Sequence, residues 1–321
     1  MTNPKISIII PVKLNGDISS VMESIKNVDY PKKHLEVIVA EGNWPSSQRN
    51  KAINKAGGKI IFFLDNDSRI QPWSLNLLEK KFSDPQLAVL GGPSLTSPKD
   101  TNYFSKLIGY ILETYFGALR MRWRYSSDVY RQNATEYELI GANLAIRKNI
   151  FSIIPGFDES LYANEETDLL RRISDMGYKM KYNKKFFIYR SHRKNPAKLI
   201  KQFFKYGEGR MMQIEKKAKF EDLVFGVPVI FVIYLFSLLF IHQTWYFLPL
   251  LIYFLLGFAS SLKVMLKYKK IDVFFVIPFI FPFIHISYAF GLIKEIYARY
   301  LDRTKKTKII KKGIKIRKIT F

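Results

Sequence analysis

Residues 59–67 of the chain read KIIFFLDND. The first six of them, Lys59 to Leu64, form a short apolar run of strand length, and Asp65-Asn66-Asp67 follows directly. A strand that ends there presents two carboxylates at one edge of a sheet, where they can share a metal ion that prefers oxygen ligands. Mg²⁺ and Mn²⁺ are such ions, and substrate phosphates commonly complete their shells. The triplet therefore predicts a diphosphate-bound metal, although an ordinary turn is also compatible with it.

Apolar strand segments alternate with amphipathic segments over the N-terminal part of the chain. This rhythm is typical of an α/β fold with a mostly parallel sheet and flanking helices. The predicted strands are Ser7–Val12, Glu36–Ala40 and Lys59–Leu64, and the predicted helices are Ser19–Val28, Ser46–Ala56 and Pro72–Phe82. Ligands of such sheets bind beyond the carboxyl ends of the strands. We therefore expect residues 11–15 and 41–43 at the same edge as Asp65.

Charge and cysteine content narrow the class of protein. The chain has 321 residues, and 51 Lys and Arg against 27 Asp and Glu give a net charge of +24. Such an excess indicates an anionic partner. Because the positive charge crowds the C-terminal half and no motif that reads DNA or RNA is present, we expect anionic phospholipids and no nucleic acid. The absence of cysteine excludes disulfides and Cys-ligated zinc or iron–sulfur sites.

The C-terminal third predicts a membrane region over residues 222–293. Residues 223–241 and 245–262 carry no charge, and each is long enough to cross a hydrocarbon core of about 30 Å. A third apolar segment, residues 273–293, contains Pro278 and Pro282. Proline interrupts the helical hydrogen-bond ladder, and basic tails favour the cytosolic face. We therefore expect a Pro-broken third segment that is re-entrant or interfacial rather than a full crossing.

These segments define the expected organisation of the chain. No secretory signal precedes the first strand, so we expect a cytosolic catalytic domain over residues 1–193. Residues 194–221 predict an amphipathic linker helix at the membrane interface. Residues 294–321 predict a basic cytosolic tail. Residues 101–138, which are rich in aromatic residues and arginine, are expected to form a variable insertion that could contact the acceptor or the bilayer.

Four motifs resemble the family 2 glycosyltransferases of GT-A fold, in the order in which that family carries them. They are SIIIPV with Asn15, EVIVAEG, QRNKAINKAGGKIIFFLDND and GANLAIRKNIFSIIPGFDESLYANEETDLLRR, which begin at residues 7, 36, 48 and 141. The likeness covers about residues 5–215. It implies a GT-A domain that transfers a sugar from a nucleotide-diphosphate donor.

The resemblance implies a donor and metal site. Pro11 and Asn15 would belong to the first donor loop, Glu41 would bind the nucleobase, and Asp65 would contact the ribose. Asp67, with Asp65, would ligate Mn²⁺ or Mg²⁺ on the diphosphate. The other residues implied are Gln48, Arg49 and Asn50 at the nucleotide and His192 as a third metal ligand. His192 is also compatible with a lone surface histidine, and Ala40-Glu41-Gly42-Asn43 in place of the commoner D-D-G-S leaves a UDP- or GDP-linked donor open.

Inversion at the sugar carbon requires a base that takes the proton of the acceptor hydroxyl. Glu165 and Glu166 are the candidates, and the resemblance favours Glu166 by position, where the family commonly has Asp. Two adjacent carboxylates raise the pKa of one of them, which suits a base. Acidic residues are also favoured at a helix N-terminus by the helix dipole, which offers a purely structural explanation of the pair.

Acceptor contacts are expected from two regions. The resemblance implies Gly141, Asn143 and Asp168 around the acceptor loop and the base helix. Residues 202–206 (QFFKY) are similar to the Q-x-x-R-W motif of processive synthases, with Lys for Arg and Tyr for Trp, a form closer to non-processive members. The residues implied there are Gln202, Lys205, Tyr206 and Arg210. An amphipathic helix on the membrane surface explains the same segment.

The sequence therefore predicts an inverting glycosyltransferase with a membrane-associated acceptor, such as a polyprenyl-linked saccharide. A polyprenyl-phosphate sugar synthase and a processive polysaccharide synthase are alternatives within the same fold. A non-catalytic membrane scaffold that binds anionic lipid is the alternative of another class. A scaffold would have no reason to place Asp65, Asp67 and Glu166 in the order of the family.

Overall fold

The computed structural model describes residues 6–128, 133–301 and 313–320. The chain divides into two compact units. The first comprises Met1–Lys99, Trp123–Ser191 and Ile309–Phe321, and the second comprises Asp100–Arg122 and His192–Lys308. This division falls after Ser191, close to the expected boundary at residue 193, and the assignment of residues 1–193 to a cytosolic catalytic domain stays a prediction. The insertion departs from the expected domain, because residues 100–122 belong to the second unit.

The first unit is built on two sheets. Its strands are β1 (Ile6–Val12), β2 (Leu35–Glu41), β3 (Ile60–Leu64), β4 (Arg69–Ile70), β5 (Leu87–Gly91), β6 (Ser94–Thr96), β7 (Asn143–Arg147), β8 (Lys179–Tyr182), β9 (Ile188–Arg190) and β10 (Lys315–Thr320). Its helices are α1 (Ser19–Lys26), α2 (Pro45–Lys55), α3 (Ser74–Phe82), α6 (Ile150–Ile153) and α7 (Glu165–Asp175), with a 3-10 turn at Lys32–His34.

The larger sheet has the strand order β10-β2-β1-β3-β7-β5-β8, and the smaller one β4-β9-β6. The pairs β1–β2, β1–β3 and β5–β8 are parallel, whereas β7 runs antiparallel to β3 and β5, and β10 runs antiparallel to β2. Five of the seven strands thus point the same way, which confirms the predicted α/β fold with a mostly parallel sheet. The strand at the C-terminus was not expected.

Apolar side chains cover both faces of the central strands. In β1, Ile8 and Ile10 lie in one core while Ile9 lies in the other, and in β3 the same division separates Phe62 from Phe63. Strands that are buried on both faces read as continuous apolar runs, because no position faces water. Ser7 and Glu36 lie within β1 and β2 but are buried, so the carboxyl ends of β1, β2 and β3 are where polar residues become accessible to a ligand.

The second unit is helical. Its helices are α4 (Tyr103–Leu112), α5 (Tyr115–Ala118), α8 (Pro196–Lys216), α9 (Val227–Ser237), α10 (Leu248–Tyr268) and α11 (Ile271–Leu301), and 3-10 segments cover Leu119–Arg124, Phe220–Gly226 and Thr244–Phe247. The expected linker helix over 194–221 corresponds to α8. The first residues of the insertion pack here because Tyr110 stacks on Tyr268, with ring centroids 4.2 Å apart, and Glu113 binds Lys267 at 2.5 Å.

Three helical segments, Phe220–Ser237, Thr244–Tyr268 and Ile271–Leu301, are long and apolar enough to cross a membrane. The break expected in the third is absent, because α11 continues through Pro278 and Pro282. Membrane helices tolerate proline where neighbouring helices and local adjustments compensate for the lost hydrogen bond. Gly257 of α10 provides such a neighbour, since a Cβ atom there would lie 3.5 Å from Pro278. The tail also differs from the expectation, since α11 extends to Leu301 and β10 follows.

Candidate active site

The carboxylates of Asp65 and Asp67 converge on one cationic side chain, Arg190. Asp65 directly follows β3, and Arg190 ends β9, which pairs with the short strand β4 just after Asp67. The Arg190 guanidinium lies 3.1 Å from Asp65 Oδ2, and its Nε lies 2.8 Å from Asp67 Oδ1. Both carboxylates can therefore face a single positive charge, and their all-oxygen donor set fits a divalent metal.

Arg49 joins this pair to the base helix. It projects from α2, is 5% exposed, and places its guanidinium 2.5 Å from Glu165 Oε1 and 3.3 Å from Asp65 Oδ1. Burial acts to lower the pKa of Arg49, but the carboxylates of Glu165 and Asp65 outweigh it and hold that pKa above its ordinary value. Arg49 thus stays charged and connects the predicted donor site with the predicted base.

The two candidate bases lie in the first turn of α7. Arg124 donates to Glu166 Oε1 at 2.9 Å and to the Thr167 hydroxyl at 3.0 Å, and it is anchored by the backbone carbonyls of Glu136 and Tyr137. A Cβ atom added at Gly141 would lie 3.2 Å from the Glu166 side chain. The structure therefore places Gly141 beside Glu166, and their roles at the acceptor stay predictions.

The environment of Glu165 shifts its acidity. Burial raises the pKa of Glu165 to about 7, Arg49 opposes this shift, and the neighbouring charge of Glu166 adds to it. A carboxyl group in this range changes its charge near neutral pH, as expected for groups at catalytic sites.

The predicted nucleotide contacts occupy the ends of β1 and β2. Gln48 donates to the carbonyls of Val12 at 2.8 Å and Ala40 at 2.5 Å, and so ties the two strand ends together. Glu41 is the last residue of β2, beside that tie. Pro11 is buried within β1, and Asn15 lies exposed beyond it in a left-handed conformation with φ 57°.

Three predicted site residues form hydrogen bonds or ion pairs with other protein groups. The Asn50 amide bonds both the N–H and the carbonyl of Phe157, each at 2.8 Å. Asn143 is fully buried and donates to the Phe186 carbonyl at 2.5 Å. Asp168 pairs with Arg172 of the same helix at 2.9 Å. These contacts show how the three side chains are held in the protein. The ligand roles of Asn50, Asn143 and Asp168 stay predictions.

The remaining acceptor residues lie in the second unit, on α8. Gln202 donates to the Tyr206 hydroxyl at 2.6 Å, and Lys205 pairs with Glu208 at 2.7 Å. Arg210 is 1% exposed, donates to Gln213 at 2.7 Å and stacks 4.1 Å from the centroid of the Phe225 ring. These side chains thus contact other residues of α8 and, for Arg210, the Phe225 ring, and their roles at the acceptor stay predictions.

His192 also belongs to the second unit, where its backbone N–H donates to the Ser105 hydroxyl at 2.9 Å. Within residues 6–128, 133–301 and 313–320, no group of three His, Cys, Asp or Glu side chains forms a potential metal site. A three-ligand site with His192 is therefore not assembled among the described residues.

Sequence reasoning missed two arginines that organise the site. Arg190 lies in the segment YRSHRK, which begins at residue 189, and nothing in this sequence distinguishes it from the neighbouring basic residues. Arg124 lies in an arginine-rich run that had no sharper signal. The clue for both was chemical, because clustered carboxylates favour a cation between them.

Comparisons with known proteins bear on the family and the fold of the chain. The family model described as glycosyl transferase family group 2 matches residues 60–293. A Campylobacter jejuni GalNAc(5)-diNAcBac-PP-undecaprenol beta-1,3-glucosyltransferase is 22% identical over 227 residues, which cover 61% of this chain and 68% of that protein.

A solved mannosyltransferase from Pyrobaculum calidifontis, in complex with GDP-Man and Mn²⁺, aligns over 93% of this chain and 89% of its own. The TM-score is 0.57 at 15% identity, so this likeness concerns the fold. The GT-A-like fold and the family match lead to the same conclusion. The chain belongs to glycosyl transferase family group 2, and its activity is glycosyl transfer.

Proposed function

We propose that the chain is an inverting, metal-dependent glycosyltransferase that moves a hexose-type sugar from a UDP- or GDP-linked donor to a polyprenyl-linked saccharide. The observation that carries the proposal is the convergence of Asp65 and Asp67 on one cation, with Arg49 linking them to the glutamates of α7. The acceptor class rests on the C. jejuni relative, whose name specifies an undecaprenol-linked substrate.

Asp65 and Asp67 would hold the metal. When bound, Mn²⁺ or Mg²⁺ neutralises the negative charge that gathers on the departing diphosphate. Arg190, which contacts both carboxylates, supports this assignment because its guanidinium stands in for the cation that they would share. Mn²⁺ in the P. calidifontis mannosyltransferase is consistent with the same chemistry.

Glu166 is the proposed base. Its carboxylate accepts the proton of the acceptor hydroxyl while the acceptor oxygen bonds to the anomeric carbon and the bond to the diphosphate breaks. Arg124 fixes the direction of the Glu166 carboxylate, and Gly141, which lacks a side chain, leaves space beside the Glu166 side chain. Glu165 holds Arg49 against Asp65, so that it positions the donor side of the site.

The path of the chain supports a cytosolic catalytic unit with an even number of full crossings. β9 and β10 belong to the same compact unit, before and after the three apolar helices. Residues 302–312 contain six Lys or Arg and cannot cross a membrane. The chain must therefore return to the side from which it left, which fits two spans and a third helix that does not cross.

Product analysis separates the possible acceptors. Full-length protein in detergent would be incubated with radiolabelled UDP- and GDP-sugars, Mn²⁺, and either polyprenyl phosphate or lipid-linked saccharides extracted from membranes. Extension of the lipid-linked saccharide by a single sugar is the expected result. Transfer to polyprenyl phosphate would indicate a synthase of the lipid carrier, and a long product would indicate processive synthesis. No transfer to any acceptor would favour a non-catalytic scaffold.

A further inference from the structure

The end of the chain forms an edge strand of the catalytic sheet. β10 pairs antiparallel with six of the seven residues of β2, from Lys315 opposite Glu41 to Thr320 opposite Glu36. Its two isoleucines point to opposite faces of the sheet, and Ile319 packs on one hydrophobic core while Ile316 packs on the other. Because each isoleucine is partly buried against a core, this basic segment can pair as a strand of the sheet.

The basic residues of β10 face carboxylates of β2. Lys318 Nζ lies 3.4 Å from Oε2 of Glu36, a carboxylate that is 3% exposed. Arg317 reaches Oε1 of Glu41 at 3.8 Å. Both contacts are diagonal across the strand pair, where long side chains on the same face can meet. Arg317 and Lys318 thus have separate partners on β2.

The two partners have different surroundings. Glu36 lies away from the carboxyl end of β2 and accepts hydrogen bonds from the Ser7 hydroxyl and the Gly57 N–H, both at 2.5 Å. Glu41 lies at the carboxyl end of β2, where ligands of such sheets bind. Ile314, just before β10, approaches Gly42, where an added Cβ atom would be 3.2 Å from its side chain. The tail therefore borders the proposed nucleoside end of the site.

We propose that the C-terminal strand is part of the donor site and that Arg317 is a positioning residue, which holds Glu41 in place for nucleoside recognition. This inference rests on the proposed function. It assigns Lys318 a structural role instead, as the cation that faces buried Glu36. A strand that only sealed the edge of the sheet would affect stability and leave nucleotide binding unchanged.

The test uses the full-length protein in detergent, with UDP and GDP as the probes. Arg317→Ala should weaken the Kd of the preferred nucleotide by about two- to fivefold, which is the range of an exposed ion pair. The donor KM should rise by a similar factor with unchanged kcat, and Arg317→Lys should restore most of the affinity. Lys318→Ala, the control on the same strand, should lower the Tm and leave the nucleotide Kd unchanged.

Two failures can be told apart. If wild-type protein binds a nucleotide and Arg317→Ala binds it equally well, the positioning role of Arg317 is wrong and the proposed function stands. If Arg317→Ala and Lys318→Ala weaken binding equally, the strand acts only through stability and the inference is again wrong. Wild-type protein that binds neither UDP nor GDP would overturn both the inference and the proposed donor.

Discussion

Three arginines hold the carboxylates at the centre of the site. Arg190 contacts Asp65 and Asp67, Arg49 contacts Asp65 and Glu165, and Arg124 contacts Glu166. Arg49 and Arg124 are each 5% exposed. Because an unpaired buried charge is costly, removal of one partner should disturb the others. Charge-neutral substitutions of similar shape are therefore the most informative variants.

We expect Glu166→Gln to lower kcat by about 10²- to 10⁴-fold, because an amide cannot accept the proton of the acceptor hydroxyl. The donor KM should change little, since the amide keeps the size of the side chain and can still accept from Arg124. Steady-state transfer rates would measure both constants. The control is Glu23→Gln, an exposed position on α1, and a Glu166→Gln enzyme with the rate of this control would exclude Glu166 as the base.

We expect the rate of sugar transfer to depend on pH through Glu165. Its pKa is raised to about 7 by burial, so the carboxyl group loses its charge as the pH falls through that value. Its ion pair with Arg49 is then lost, and we expect transfer to decrease below neutral pH. Transfer rates measured from about pH 5.5 to about pH 8.5 would show this acidic decrease. In Glu165→Gln this acidic decrease should disappear, and the rate should be lower at every pH. An unchanged decrease would mean that another group causes it.

The carboxylates of the site could be predicted from the sequence, whereas their partners could not. Asp65 and Asp67 follow an apolar strand, and the glutamates of α7 begin an amphipathic helix, so each pair has a local signal. Arg190 is 123 positions from Asp67 along the chain. Its role depends on strand pairing between β4 and β9, which short-range patterns do not specify.

At the scale of elements, β3 and β10 mark the limits of sequence reasoning. The predicted strand Lys59–Leu64 is observed as Ile60–Leu64, because five consecutive apolar residues are buried on both faces. β10 contains Lys315, Arg317 and Lys318, which indicated a basic tail. Basic residues are common on edge strands, where they prevent pairing with other chains. The same composition therefore fits both a tail and an edge strand.

α8 and α11 cross at a pair of glycines. A Cβ atom at Gly207 would collide with the Tyr288 carbonyl, and one at Gly291 would collide with the Phe204 carbonyl. Lys294 and Lys205 both bind Glu208 beside this crossing. Close helix contact through small residues is the usual way in which membrane-associated helices pack. The crossing should therefore depend on the absence of side chains at these positions.

We expect Gly291→Ala to destabilise the protein by about 1 to 3 kcal/mol, because the added methyl group forces the two helices apart. Thermal unfolding in detergent would show this as a lower Tm. Gly226→Ala is the matched control in the same unit, since a Cβ atom there meets nothing within 4 Å. Equal Tm values for the two variants would contradict the close packing of α8 on α11.

At the scale of the whole molecule, the return of the chain to the catalytic sheet constrains the membrane topology. The sequence predicted two crossings and a third segment that turns back, on the basis of proline and charge. The continuous helix α11 removes the proline argument. The pairing of β10 with β2 supports the proposed topology instead, because a chain that leaves this sheet and returns to it would cross the membrane an even number of times.

The chain has no cysteine, so single-cysteine variants can report topology directly. Lys13→Cys and Gly313→Cys should react with a membrane-impermeant maleimide only from the cytosolic face, because both positions belong to the catalytic unit. Gln243→Cys, in the turn before α10, should react only from the opposite face. Labelling of the Lys13 and Gly313 positions from different faces would instead require three crossings.

The central claim is that Asp65 and Asp67 hold the metal of a nucleotide-sugar transferase. The most direct measurement is the release of nucleoside diphosphate from a panel of UDP- and GDP-sugars by full-length protein, with and without Mn²⁺. Asp67→Ala would be compared with Asp29→Ala, an exposed aspartate outside the site. We predict metal-dependent release from one donor, lowered at least about a hundredfold by Asp67→Ala and unchanged in the control. Release that persists in Asp67→Ala, or that needs no divalent metal, would contradict the claim.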